Sequence, residues 1–201
     1  GGEVRGPEGQ LMTVCSWLCV KEVSFLLAAI HDLAPFPQGK PEDVISLEQV
    51  SKAGDIFIGL LLSTRHKGSI EKAYEGFRVL CSRVLRSGNP KVRNLAAAWA
   101  GHALSILKEP VAMQVTRRSA GIPYALSAIL SADAYSSSGT CELLDSTMTE
   151  LLDLSSGSKG YVPQVHAFNI VSSLVNQKAV SGHIDAYLDK ILVRILQAYT
   201  S

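Results

Sequence analysis

From Leu11 to Tyr199 the apolar residues recur at helical spacing in one segment after another, and no stretch alternates as a half-buried strand would. That single feature restricts the chain to an all-α fold. The punctuation between segments sets their number. Leu11 to Ala29 is apolar at nearly every helical offset, which predicts a first helix buried on most sides. Pro35, Pro37, Gly39 and Pro41 break the chain. Ser46 with Gln49 three residues on reads as a capping box for a second helix over Leu47 to Leu62. Thr64-Arg65-His66-Lys67-Gly68 forms a basic turn, after which Ser69 can cap a third helix running through Arg86. Its apolar stripe is Ile70, Ala73, Phe77, Leu80 and Val84, with Arg78, Arg83 and Arg86 off it.

In Ser87-Gly88-Asn89-Pro90 the asparagine suits an N-cap, and the proline suits the first helical position, where a missing N–H costs nothing. The fourth helix then runs to about Leu107 and stops before Pro110. Further helices are expected from about Ile122 to Ala134, Cys141 to Leu154, Pro163 to Val175 and Ile184 to Tyr199. Tyr135 to Thr140 is a polar break, and Ser155 to Gly160 a flexible connector. Such helices with short joints fit antiparallel hairpins stacked as an armadillo/HEAT-like α-solenoid, although exact repeats are not visible. A closed bundle is the competing architecture. The expectation is one all-α segment over 1–201 of a longer helical-repeat protein. Gly1-Gly2-Glu3-Val4 reads as an excised start, and charged residues are only 18% against about 25% in ordinary soluble domains, as if some faces pack on more protein.

Lys21, Glu22, His31 and Asp32 interrupt the longest apolar stretch, Leu11 to Leu33, so no membrane insertion is expected. Cys15, Cys19, Cys81 and Cys141 show no C-x-x-C spacing. Cys15 and Cys19, four apart on one helix face, suit two buried thiols in a reducing, cytoplasmic setting. Charge is distributed unevenly: 4 Lys+Arg against 8 Asp+Glu over 1–59, 11 against 3 over 60–118, and 4 against 7 over 119–201. The middle third is a basic island of the kind that attracts nucleic acid or an acidic protein surface.

Catalytic patterns are missing. There is no G-x-G-x-x-G, no G-x-x-x-x-G-K-[ST], no H-E-x-x-H and no G-x-S-x-G. His31, His66, His102, His166 and His183 never lie four apart, so a metal site would need long-range assembly. His102 and His166, in apolar helices, read as core histidines, and His66 as part of a basic surface. Two clusters remain. Arg65-His66-Lys67 crowds three cationic side chains into one turn. Arg117-Arg118, within Gln114-Val115-Thr116-Arg117-Arg118-Ser119-Ala120-Gly121-Ile122-Pro123, precedes a helix start, where free N–H groups and two guanidiniums could clamp a phosphate or carboxylate. Alternatively Ser119 caps that helix, Gly121-Ile122-Pro123 packs it, and the arginines are solvated or pair with acidic helix ends.

QVTRRSAGIP, with VCSWLCVKEVSFLL at 14–27, STRHKGSIEKAYEGFRVLC at 63–81 and QVHAFNIVSSLV at 164–175, resembles the thyroid adenoma-associated protein family. The four blocks fall in the family's order and are spread over most of the chain, from 14 to 175. The resemblance implies a very long armadillo-like protein without catalysis of its own, a scaffold beside an FtsJ-type methyltransferase that 2′-O-methylates a ribose of the tRNA anticodon loop. S-adenosylmethionine would bind that partner enzyme, leaving this chain without a cofactor. The signature maps onto Arg117, Arg118, Ser119, Ala120, Gly121, Ile122 and Pro123, with Ile122 where relatives often carry Leu. Ser69 stands where they usually carry Ala, and Leu18 where they often carry a polar or basic residue. The resemblance implies that the signature, with Arg65, His66 and Lys67, contacts tRNA, the methyltransferase or the protein's own core. A general helical-repeat adaptor for an acidic protein, without an RNA role, is the other expectation.

Overall fold

A computed structural model describes residues 6–64, 66–108, 121–136 and 141–200. Every regular element among the described residues is helical: α1 Pro7–Leu33, α2 Leu47–Ser63, α3 Lys67–Leu85, α4 Pro90–Lys108, α5 Ile122–Ser136, α6 Glu142–Leu154, α7 Tyr161–Val175, the single turn α8 Ser181–Ile184, and α9 Leu188–Thr200 after a 3-10 turn at Asp185–Tyr187.

Local chemistry sets several boundaries where the sequence puts them. The Gln49 N–H donates to Ser46 Oγ at 3.1 Å and the Ser46 N–H to Gln49 Oε1 at 2.8 Å, so two free donors at the start of α2 are satisfied reciprocally. Ser46→Ala should therefore cost about 1 kcal/mol of stability, read as a lowered urea midpoint with an unchanged slope. Asn89 caps α4 as expected, its Oδ1 accepting from the Lys91 N–H at 3.0 Å. The cap of α3 differs from expectation. His66, not Ser69, holds that place, its Nδ1 accepting from the Ser69 N–H at 3.3 Å. Ser69 sits two residues inside the helix and is buried, because α3 begins earlier than its first apolar residue suggests.

Helices of odd number pack in succession, α1 on α3, α3 on α5 and α5 on α7, while α2 packs on α4 as well as on α3. Trp17 stacks on His66, Ser24 lies against Gly76, and the His31 carbonyl takes Arg83, so α1 and α3 run parallel. Close approach requires Gly76, since a Cβ there would meet the Ser24 carbonyl oxygen and the Phe57 ring, each at 2.8 Å.

The most enclosed helix is α5, on which every residue from Ala125 to Asp133 is buried. By contrast, α1 is buried only along Ser24, Ala28 and His31, the stripe that meets α3, while Leu11, Met12, Leu26 and Leu33 are exposed. This corrects the expected burial of the first helix. Cys15 and Cys19 are exposed with it, whereas Cys81 and Cys141 are buried. Among the described residues α1 over Glu8–Leu33 is, by length and composition, long and apolar enough to cross a membrane. Lys21 and Glu22, paired at 3.0 Å, do not outweigh the surrounding valines and leucines.

Candidate functional site

Of the residues singled out by sequence, Arg65, Arg117, Arg118, Ser119 and Ala120 lie outside the described residues. Gly121, Ile122, Pro123, His66 and Lys67 lie within them, and the structure brings the two groups to one end of the helical layers. A Cβ on Gly121 would land on the Leu61 carbonyl, so the backbone entering α5 lies directly on the last turn of α2. Leu61 in turn leads through Ser63 and Thr64 to the basic turn. Ile122 is buried in the core, Pro123 is half-buried, and Tyr124 packs edge-on against Tyr74 of α3 at 5.4 Å. The last residues of the signature are thus a packed foot.

His66 performs two tasks that its sequence neighbours did not announce. It caps α3, and its ring stacks on Trp17 at 5.9 Å with an interplanar angle of 18°. With Val20, Thr64 and Ser69 the stacked pair lines a cavity of about 480 Å³. Sequence reasoning passed over Trp17, although it sits in the block VCSWLCVKEVSFLL. Lys67 points its ammonium to water and approaches Glu71 at 3.7 Å, a pair that exposure leaves weak.

The described basic side chains divide by role. Arg83 Nε donates to the His31 carbonyl at 3.2 Å and its Nη2 to the Ala34 carbonyl at 3.0 Å, while the guanidinium lies over Phe36 at 5.1 Å. It therefore satisfies carbonyls left over at the end of α1. Arg93 donates to the Ser87 carbonyl at 2.8 Å and shapes the turn before α4. Arg78 on α3 and Arg86 at its C-cap are exposed and face a cavity that Lys178 shares.

No group of three or more His, Cys, Asp or Glu side chains is placed to hold a metal among the described residues. One cysteine–histidine pair does come together: Cys141 Sγ lies 3.7 Å from His183 Nδ1, joining the start of α6 to α8 across a sequence gap that spacing rules do not reach. Cys141 is 3% exposed. Of the two expected core histidines, His166 is buried and His102 is exposed on α4. Burial lowers the His166 pKa from its ordinary imidazole value, favouring the neutral ring in the fold. The unfolded chain then takes up that proton first, and stability is lost as pH falls through the ordinary histidine range. Burial and the hydrogen bond from its hydroxyl to Asp145 Oδ1, at 2.6 Å, push Tyr187 up to about 12.

Comparison with known proteins bears on the whole chain. The family model described as "THADA/TRM732, DUF2428" matches residues 2–201. A mouse protein named tRNA (32-2′-O)-methyltransferase regulator THADA is 36% identical over 202 residues, covering 92% of this chain and 10% of its own length. The human protein of that name is 35% identical over the same span, and the fission yeast regulator trm732 is 24% identical across 100% of this chain and 14% of its own length. The chain spans about a tenth of the length of the curated relatives from mouse and human. No solved structure matches. The segment that anchors Gly121 on Leu61 and stacks His66 on Trp17 therefore belongs to the THADA/TRM732 family.

Proposed function

We propose that this chain is part of a non-catalytic scaffold that supports 2′-O-ribose methylation of the tRNA anticodon loop by an FtsJ-type methyltransferase. That enzyme, not this chain, binds S-adenosylmethionine. The observation that carries the reading is the seating of Gly121 on the Leu61 carbonyl. It fixes Gly121, at the described end of the signature, on the last turn of α2, which leads to His66 and Lys67, and paired guanidiniums are suited to meeting a phosphate or a carboxylate. The names of the relatives supply the reaction that such a scaffold would regulate.

The successive packing of odd-numbered helices, with α2 on α4 behind them, supports reading the segment as one stretch of an armadillo/HEAT-like solenoid. Cytoplasmic placement belongs to this reading. So does a protein-facing rather than membrane-spanning α1, because its Ser24–Ala28–His31 stripe and its C-terminal carbonyls are already engaged by α3.

The test is Arg117→Ala with Arg118→Ala in the full-length protein, expressed with the methyltransferase. Methylation of the anticodon-loop ribose should fall to background while circular dichroism and yield are unchanged. Normal methylation would sink the reading, and an insoluble variant would assign the arginines to the protein's own packing. The exposed apolar face of α1, together with the exposed cations Arg78, Arg86 and Lys178, favours a second reading, a helical-repeat adaptor for an acidic protein. Capture of partners other than a methyltransferase that survives ribonuclease would support it.

A further inference from the structure

The C-terminal halves of α3 and α5 and the turn after α7 enclose a cavity of about 490 Å³ that no motif in the sequence marks. Four cations line it, Arg78, Arg83, Arg86 and Lys178, against the single carboxylate of Asp32. Arg83 is committed to the carbonyls of His31 and Ala34. Arg78, Arg86 and Lys178 are exposed and have no ion pair among the described residues. The helix dipole accounts for a cation at Arg86, on the end of α3, but not for Arg78 two turns earlier or for Lys178 on another element.

The cavity wall holds an independent sign of a missing partner. Ser131 of α5 is 4% exposed, and its Oγ has no hydrogen-bond partner among the described residues. A buried hydroxyl left this way costs free energy unless a ligand or water takes it. Beside it Tyr135, one turn on, is 69% exposed. An aromatic ring standing free next to three uncommitted cations is the arrangement that holds a single strand, with phosphates on the cations and a base on the ring.

We propose that this cleft is a binding site for single-stranded RNA. Arg78, Arg86 and Lys178 hold the phosphodiester backbone, Ser131 Oγ donates to a phosphate or ribose oxygen, and Tyr135 stacks a base. The site deepens the RNA role proposed above and rests on it. It lies toward the far end of α3 from His66.

The test is a fluorescence-anisotropy titration of the full-length protein with a short labelled oligouridylate, without methyltransferase, across a salt series. Arg78→Gln, Arg86→Gln and Lys178→Gln combined should weaken binding about tenfold or more and flatten the salt slope by about 2, as three lost phosphate contacts require. Tyr135→Ala alone should weaken it about fivefold or more while leaving the slope unchanged. Arg83 is kept because it holds α1, and Lys159→Gln on the exposed connector serves as a control that binds normally. Oligonucleotide binding by the triple variant within about twofold of the unmodified protein overturns the proposal. A loss in the triple variant with none in Tyr135→Ala, and displacement of the oligonucleotide by polyglutamate, makes the cleft an acidic-protein site and overturns it too. Inorganic phosphate competing as well as the oligonucleotide would reduce it to an anion site, which also overturns it. Because no methyltransferase is present, failure here leaves the methylation test of Arg117 and Arg118 standing.

Discussion

Gly121→Ala should destabilise the protein by about 3 kcal/mol or more, at the upper end of what overpacking a core costs. The added methyl would fall on the Leu61 carbonyl, which is helix backbone and cannot swing aside as a side chain would. Either α2 and the entrance to α5 separate, opening the core around Leu61 and Ile122, or the last turn of α2 frays. Both outcomes also shift Gly121, Ile122 and Pro123 relative to the end of α2, so function should fall by more than the folded fraction does. Thermal unfolding is the measurement, with a drop of roughly 6–12 °C for a chain of this size. Gly101→Ala is the matched control. Gly101 is exposed on α4, and a methyl added there would have nothing within 4 Å, so alanine should raise stability by about 0.5–1 kcal/mol. Equal effects at the two glycines would refute the close approach of α5 to α2.

Phe77→Ala should cost about 3–5 kcal/mol, as truncation of a fully buried aromatic does. Phe77 has no exposed surface, and its ring meets Phe57 at 5.8 Å and Trp99 at 5.6 Å, so one side chain joins α3 to both α2 and α4. The cavity left behind would border three helices, none of which can collapse into it alone. Phe77→Leu retains most of the volume and should lose clearly less. Urea unfolding followed by circular dichroism reads both variants, and a Phe77→Ala loss under about 1 kcal/mol would show that this cluster is not the joint it is taken to be.

Several elements were legible because their causes are local. Ser46 and Gln49, and Asn89 before Pro90, place helix starts through contacts that span three residues or fewer. The buried stripe Ile70, Ala73, Phe77, Leu80 and Val84 followed from spacing alone. What failed was the assignment of surroundings. α1 and α5 are both apolar on most sides, yet α5 is enclosed and α1 is largely exposed, because only α5 has neighbours on every face. Cys15 and Cys19 went to the wrong environment for the same reason. The basic island was a correct count of charge with no geometry in it. The fold sets Arg83 to hold carbonyls and Arg93 to hold a turn, and leaves Arg78 and Arg86 free beside Lys178, a residue from the acidic third of the chain.

By itself the sequence determined the helical class, most helix boundaries, the absence of any familiar catalytic motif and the family. All of these depend on residue order over short distances, where periodicity and capping act. Only the tertiary structure decided which helix is enclosed, that His66 rather than Ser69 caps α3 while stacking on Trp17, and that Gly121 rests on the Leu61 carbonyl. It alone brought Ser131, Tyr135 and Lys178 to the arginines of α3. Those relations join residues tens of positions apart. They exist only once helices have packed, because close packing selects which backbones can touch and which side chains are left without partners.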